Sequence, residues 1–171
     1  MTDTTQSIFD HGPSDQQALI IFVSTLEADL RTVLFPSGES HSPIADEEMA
    51  GLARDAFEPG VVRQFEDLRT QLTERWAEHQ DGLERHGLLG PQLRFKLAVN
   101  ELGRNRYVEA VSGGNQPPWG WRNALERYLV AADVILDSLS AALGGVGAAI
   151  GEFKKMIEWL LADTWKRGWP A

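Results

Sequence analysis

Two apolar patterns with a helical period, joined by a glycine-rich connection, constrain the fold of this chain most. From Trp121 to Leu143, and again from Ala148 to Trp165, apolar side chains recur three or four residues apart. This spacing places them on one face of a helix, and each such face must be buried against another element. Because the short connection holds Gly144, Gly145 and Gly147, the chain can reverse there, and we predict an antiparallel helical hairpin.

The N-terminal part of the chain carries the same helical signature. Ser14 and Gln17 have the spacing of a capping box and open an apolar pattern that runs to Pro36. The pattern is broad, so we expect this first helix to be central and to contact other helices on more than one side. A second, short helix is predicted between Pro43 and Pro59, since proline suits the first turn of a helix and interrupts its interior.

The middle of the chain predicts two further helices. Apolar residues from Val61 to His86 follow one narrow stripe, typical of a long helix that packs along another in a bundle or a dimer. Pro91 opens a helix that is apolar on nearly all sides and that Gly103 is expected to kink or end. We therefore predict an all-α, single-domain bundle of about five or six helices at residues 14–171, with the hairpin packed on the first and third helices. Residues 1–13 are predicted to be a flexible tail.

Composition excludes several classes of protein. The chain contains no cysteine, which rules out thiol nucleophiles, disulfides and cysteine-bound metals, and favours a reducing compartment. The N-terminus lacks the basic and apolar regions of a secretory signal, and no uncharged apolar segment reaches 18 residues. The sequence thus predicts a cytoplasmic protein without a cofactor.

The net charge of −9 is concentrated in the N-terminal third. Residues 1–60 hold eleven acidic residues against two arginines, whereas the remainder is balanced. Such a surface repels nucleic acid and anionic lipid and favours a basic protein partner, and the alternative is a solvated face that maintains solubility. We predict a protein partner and no nucleic-acid partner. A locally basic patch at Arg94, Lys96, Arg104 and Arg106 is the candidate to receive an anion or an acidic segment, from this chain or from a second copy.

Aromatic residues indicate where a partner would bind. The chain has six tryptophans, of which Trp159, Trp165 and Trp169 lie close to its C-terminal end beside basic residues. Tryptophan near lysine and arginine suits either a protein hot spot or a membrane interface, and packing in the core is the alternative. Together with Trp76 and Phe65 from the long helix, these residues form the predicted interface.

No residue pattern predicts catalytic or metal chemistry. His79 and His86 lie two turns apart on one helix, about 10 Å, which is too far for the two imidazoles alone to hold one metal ion. Asp133 and Asp137 are one turn apart, but they belong to a polar stripe whose simplest interpretation is a solvated surface. We predict no catalytic residues and no metal site.

These observations favour a non-enzymatic cytoplasmic interaction module, an adaptor or regulator, whose partner is another protein or a second copy in a homodimer. Two alternatives remain open. In the first, the protein is membrane-active and inserts its glycine- and alanine-rich C-terminal hairpin. In the second, it is an enzyme or small-molecule binder with a pocket between helices, whose polar groups would come from Asp133, Asp137, Tyr107 or Arg106.

Overall fold

The structure is a computed structural model that describes residues 13–35, 47–112 and 118–166. Every regular element in these ranges is helical, which confirms the predicted all-α bundle. Counting α3 and α4 as one broken helix gives six helices, within the predicted number. The tail predicted at residues 1–13 lies outside the described residues except for Pro13. The helices are α1 (Asp15–Leu34), α2 (Glu47–Ala56), α3 (Val62–Glu74), α4 (Trp76–Arg85), α5 (Gly90–Ser112), α6 (Pro118–Ala142) and α7 (Ala148–Lys166).

Helix α1 packs against more than one neighbour, as its broad apolar stripe predicts. The predicted capping box is present, since the Ser14 hydroxyl accepts from the Gln17 N–H at 3.2 Å and the Gln17 side chain accepts from the Ser14 N–H at 3.3 Å. The helix contacts α2, α3 and α5. Its buried residues are Ala18, Leu19, Phe22, Val23, Leu26, Leu30, Val33 and Leu34.

The prediction of one continuous helix from Val61 to His86 is wrong, because the helix is broken at one residue. Arg75 has φ −121° and ψ 28°, which ends α3 and lets α4 start in a new direction. The break is needed because α3 packs on α1 whereas α4 packs on α6. Gly82 makes that second contact close, since a Cβ atom there would lie 2.7 Å from the carbonyl oxygen of Ala142.

The C-terminal hairpin is confirmed, with one correction to its packing. Gly144, Gly145 and Gly147 all have positive φ, the conformation that glycine adopts most readily, and α6 and α7 pack against each other. The hairpin was predicted to pack on the first and third helices. It does contact the third through α4 and α3, but its main neighbour is α5 rather than α1, since α6 packs more extensively on α5 than on α7. Helix α7 also contacts α3 and the short helical segment Phe57–Val61 that joins α2 to α3. In this segment the Phe57 ring centroid lies 5.5 Å from that of Phe153.

Helix α5 is continuous through Gly103, so it does not end there. A Cβ atom at Gly103 would lie 3.3 Å from the Cα of Tyr128, so the glycine is placed where the α5 and α6 backbones approach most closely. The helix continues to Ser112. One side of α5, which includes Leu93 and Leu97, is buried, and we call it the inner side. The other side, which includes Phe95, Val99 and Leu102, is exposed, and we call it the outer side.

Candidate functional site

The inner side of α5 is joined to α1 by ion pairs. The Arg94 guanidinium lies 2.9 Å from the Asp15 carboxylate and donates to the Pro13 carbonyl oxygen, also at 2.9 Å. Asp15 in turn accepts from the Gly90 N–H at 3.0 Å. These contacts tie the start of α1 to the start of α5 within a single chain.

A second inner contact, the Asp29 cluster, consists of Asp29, Arg104, Tyr107 and Tyr128. Arg104 donates to both Asp29 oxygens, at 2.6 and 3.1 Å, and the Tyr128 hydroxyl donates to Asp29 at 2.5 Å. The Tyr107 ring stacks on Tyr128 with centroids 6.0 Å apart. The cluster therefore links α1, α5 and α6 through one carboxylate.

Burial dominates the electrostatics of this cluster. It raises the pKa of Tyr107 to about 12, and the negative charge of Asp29 acts in the same direction. Burial, followed by the charge and hydrogen bond of Asp29, also raises the pKa of Tyr128 well above its ordinary value. Both phenols stay neutral at physiological pH. Since Asp29 already accepts from two side chains, we interpret the cluster as a structural link rather than a reactive site.

The structure separates the predicted basic patch instead of bringing it together. Arg94 and Arg104 pair with acids of the N-terminal third, as described above. The Lys96 ammonium donates to the Gly87 carbonyl oxygen at 2.8 Å, beyond the end of α4. Arg106 differs from all three, because it forms no ion pair or hydrogen bond with any residue that the structure describes.

Arg106 lines a groove on the outer side of α5, between α5 and α6, which we call the outer groove. Its cavity has a volume of about 270 Å³. Small residues at its base, Gly103, Ala124 and Ala131, allow the two helices to lie close together, and Val99 and Leu102 form its apolar wall. Arg127 and Asn123 of α6 complete the lining.

Exposed apolar residues extend the outer groove along α5. Phe95, Val99, Leu102 and Arg106 are spaced four, three and four residues apart, so they follow one stripe. Phe95 is 71% exposed, although it is a large aromatic residue, and Val99 and Leu102 are 46% and 56% exposed. This stripe is an apolar surface that ends in a cation.

Helix α6 contributes a second stripe with the same spacing. It consists of Asn123, Arg127, Val130 and Val134, and the two valines are 51% and 52% exposed. Because Gly103 meets Tyr128 and both Arg106 and Arg127 line the same cavity, the two arginines lie towards one end of the groove. The antiparallel stripes continue towards Phe95 and Val134 at the other end. The two stripes extend the outer groove beyond the cavity, and each stripe spans about 16 Å along its helix.

The outer groove has one sign of charge. Arg106 and Arg127 both line the cavity, and no acidic side chain is among its lining residues in the described chain. Neither arginine has an ion-pair or hydrogen-bond partner within residues 13–35, 47–112 and 118–166. Two guanidinium groups without an acceptor favour an anionic ligand.

The residues of the predicted interface are dispersed. Trp159 is 57% exposed on α7, and Trp76 is half-buried on α4. Phe65 is fully buried, with its ring centroid 6.5 Å from that of Phe57, so it belongs to the core and has no surface to offer a partner. The Trp165 side chain and all of Trp169 lie outside what the structure describes.

The acidic pair Asp133 and Asp137 is divided between two environments. Asp137 is exposed, but the Asp133 carboxylate lies 3.5 Å from the ammonium of Lys154, which is fully buried and also pairs with Glu158. Lys154 follows Ile150 by one helical turn and precedes Glu158 by another, a spacing that places it along the apolar face of α7. Among the described residues no group of three or more His, Asp or Glu could hold a metal ion.

The outer groove itself was not predicted from the sequence. The sequence signal for it was the α5 pattern, which is apolar on nearly all sides, since a helix can bury only part of such a surface.

None of the described helices has the length and apolarity needed to cross a membrane. No protein-family model, curated protein or solved structure matches this chain.

Proposed function

We propose that this protein is a non-enzymatic interaction module that binds an amphipathic helix of a partner protein in the outer groove. One observation carries the proposal: two neighbouring antiparallel helices expose apolar stripes, and each stripe includes an arginine with no ion-pair or hydrogen-bond partner among the described residues. Grooves of this kind bind the apolar face of a helix through residues at positions i, i+4 and i+7.

The apolar exposure supports binding because the fold does not require it. Phe95, Val99 and Leu102 lie outside the core, and a continuous apolar surface on a folded protein commonly marks an interaction site. The length of the groove, about 16 Å, suits roughly three turns of a partner helix. The occupant therefore presents two or three apolar side chains on one face.

Charge complementarity indicates the class of partner. The charged residues that line the groove are both cationic, so a helix with negative charge beside its apolar face fits better than a basic helix.

The two alternative functions have less support. The polar groups expected in an active pocket lie apart: Tyr107 stacks in the Asp29 cluster and Asp133 faces Lys154. Of the expected groups, Arg106 is the one that lines the groove. Insertion of the α6–α7 hairpin into a bilayer would transfer Lys154, Asp133 and Glu158 with it, and charged groups are costly in lipid.

Selection from a phage-displayed library of amphipathic helical peptides tests the proposal. The wild-type protein is the bait, and Val99→Ser/Leu102→Ser/Val134→Ser is the matched variant with an altered groove. We expect enriched peptides with apolar residues spaced by three and four that bind the wild type at least tenfold more tightly than the variant, by fluorescence anisotropy. Peptides that bind both proteins equally, or no enrichment at all, would overturn the proposal.

Light scattering over a wide range of concentrations tests the other occupant, a second copy. We expect a monomer, because the proposed ligand of the groove is a different protein. A dimer that the same triple serine substitution dissociates would show that the occupant is a second copy and would overturn the assignment to a heterologous partner.

A further inference from the structure

We infer that Arg106 and Arg127 form a carboxylate-binding site at one end of the outer groove, and that the partner helix carries an aspartate or glutamate that this site selects. The inference rests on the proposed function, because it identifies which side chain of the bound helix the groove recognises.

The arginines of α5 differ in whether they already have an acceptor. Arg94 and Arg104 each contact a carboxylate of α1 at 2.9 and 2.6 Å, respectively. Arg106 lies two residues beyond Arg104 and points into the outer groove, where no described acid reaches it. The arginine on the groove side is therefore available to an external ligand, whereas those on the inner side are not.

Arg127 provides a second guanidinium group for the same ligand. It lines the same cavity from α6, together with Asn123. Like charges in one cavity repel each other, and a bound carboxylate relieves that repulsion while it accepts hydrogen bonds from both groups. Arginine presents several N–H donors in a fixed plane, which matches the two oxygens of a carboxylate.

The position of the site sets the direction of the bound helix. Both arginines lie towards one end of the groove, and the other end, at Phe95 and Val134, is apolar. A partner helix with an acidic residue at one end of an apolar stripe can contact both the arginines and the apolar end of the groove in one orientation only. In the reverse orientation it would place a carboxylate against Phe95, so the charge pair provides specificity as well as affinity.

A double-mutant cycle tests the inference with one peptide enriched in the selection above. The peptide is made with its acidic residue and with that residue changed to the neutral amide, Glu→Gln or Asp→Asn. The protein is the wild type, Arg106→Gln/Arg127→Gln, or the control Arg85→Gln, an exposed arginine of α4. We expect the amide change to weaken binding about tenfold to the wild type and to the control, but less than twofold to the double variant.

The outcomes separate this inference from the proposed function. If groove-dependent peptides show no preference for acidic residues, or if the amide change weakens binding equally to all three proteins, the carboxylate site is wrong and the interaction module stands. If no peptide depends on the groove, both fail. Circular dichroism and urea unfolding of the double variant show whether it remains folded, as expected for two surface arginines.

A charge swap provides an independent readout. Arg127→Glu should reduce binding of the acidic peptide by at least tenfold, and a peptide with lysine in place of the acid should regain affinity for that variant but not for the wild type. Absence of this exchange of specificity would contradict a direct contact between Arg127 and the selected side chain.

Discussion

The inner and outer sides of α5 carry the same kinds of residue with opposite consequences. On the inner side, Arg94 and Arg104 meet carboxylates of α1, and Leu97 is fully buried. On the outer side, Arg106 has no acceptor among the described residues, and Leu102 is 56% exposed. The difference is the presence of α1, whose acidic residues balance the charges on one side only.

This contrast shows why a basic patch in a sequence does not by itself identify a binding site. The α5 cations looked equivalent along the chain, yet three of the four are used in contacts within the molecule. The inner contacts should therefore govern stability, and the outer contacts should govern binding. The following predictions test that division, from the largest expected effect on stability to the smallest.

Asp29→Ala should reduce stability as much as a substitution in the core does. It removes the acceptor that Arg104 and Tyr128 share, which leaves two partly buried donors unpaired. We expect the free energy of unfolding to fall by about 3 kcal/mol, measured by urea unfolding. The control Glu109→Ala removes an exposed acid of α5 and should change stability by less than about 0.5 kcal/mol. Equal effects of the two substitutions would refute a special role for the inner cluster.

The two tyrosines should ionise at a higher pH than free tyrosine, and only as the protein unfolds. The chain has no others, so the absorbance of tyrosinate reports on Tyr107 and Tyr128 alone. An unfolded tyrosine ionises near pH 10, whereas burial raises the pKa of Tyr107 to about 12. Between these values the unfolded state binds fewer protons, so stability falls as pH rises. Tyrosinate formation near pH 10 with an intact circular dichroism spectrum would contradict this account.

Gly103→Ala tests the close contact that separates the two sides. Alanine favours a helix by about 1 kcal/mol over glycine, but overpacking a close contact costs about 1–3 kcal/mol. Because the neighbouring atom is backbone, the Cα of Tyr128 at 3.3 Å, we expect a net loss of about 1 kcal/mol in thermal or urea unfolding. Gly51→Ala, with nothing within 4 Å, is the control and should stabilise the protein slightly.

Serine substitutions should distinguish the two sides of α5 most directly. Leu102→Ser on the outer side should change the free energy of unfolding by less than about 0.5 kcal/mol. Leu97→Ser, five residues earlier in the core, should cost about 3 kcal/mol because it leaves a cavity and buries a hydroxyl. A large loss at Leu102 would mean that the outer groove contributes to folding and would weaken the proposed docking surface.

Much of the fold was predictable because it depends on local patterns. The capping box at Ser14, the three glycines of the hairpin connection and the apolar periodicity of α6 and α7 each act over one or two turns of chain. The break at Arg75 was not predictable in this way. It serves the packing of α3 on α1 and of α4 on α6, partners that lie far apart in sequence.

The candidate site was predictable only in part, for a related reason. Sequence reasoning selected Arg106, but it placed Phe65 and Trp76 in the interface because their spacing suits a stripe. A stripe shows that residues share a helix face, but it does not show what covers that face. Phe65 proved to be covered by the core, while Phe95, which was not selected, proved to be exposed.

The sequence by itself determined that this chain is helical, where its hairpin turns, and that its acidity lies in the first third. Tertiary structure alone decided which arginines of α5 would be balanced by that acidity and which side of the helix would face solvent. The physical reason is distance. Helical periodicity and capping act between residues three or four positions apart, whereas Asp29 meets Tyr128 across 99 residues of chain. Such a contact is fixed by the packing of whole helices.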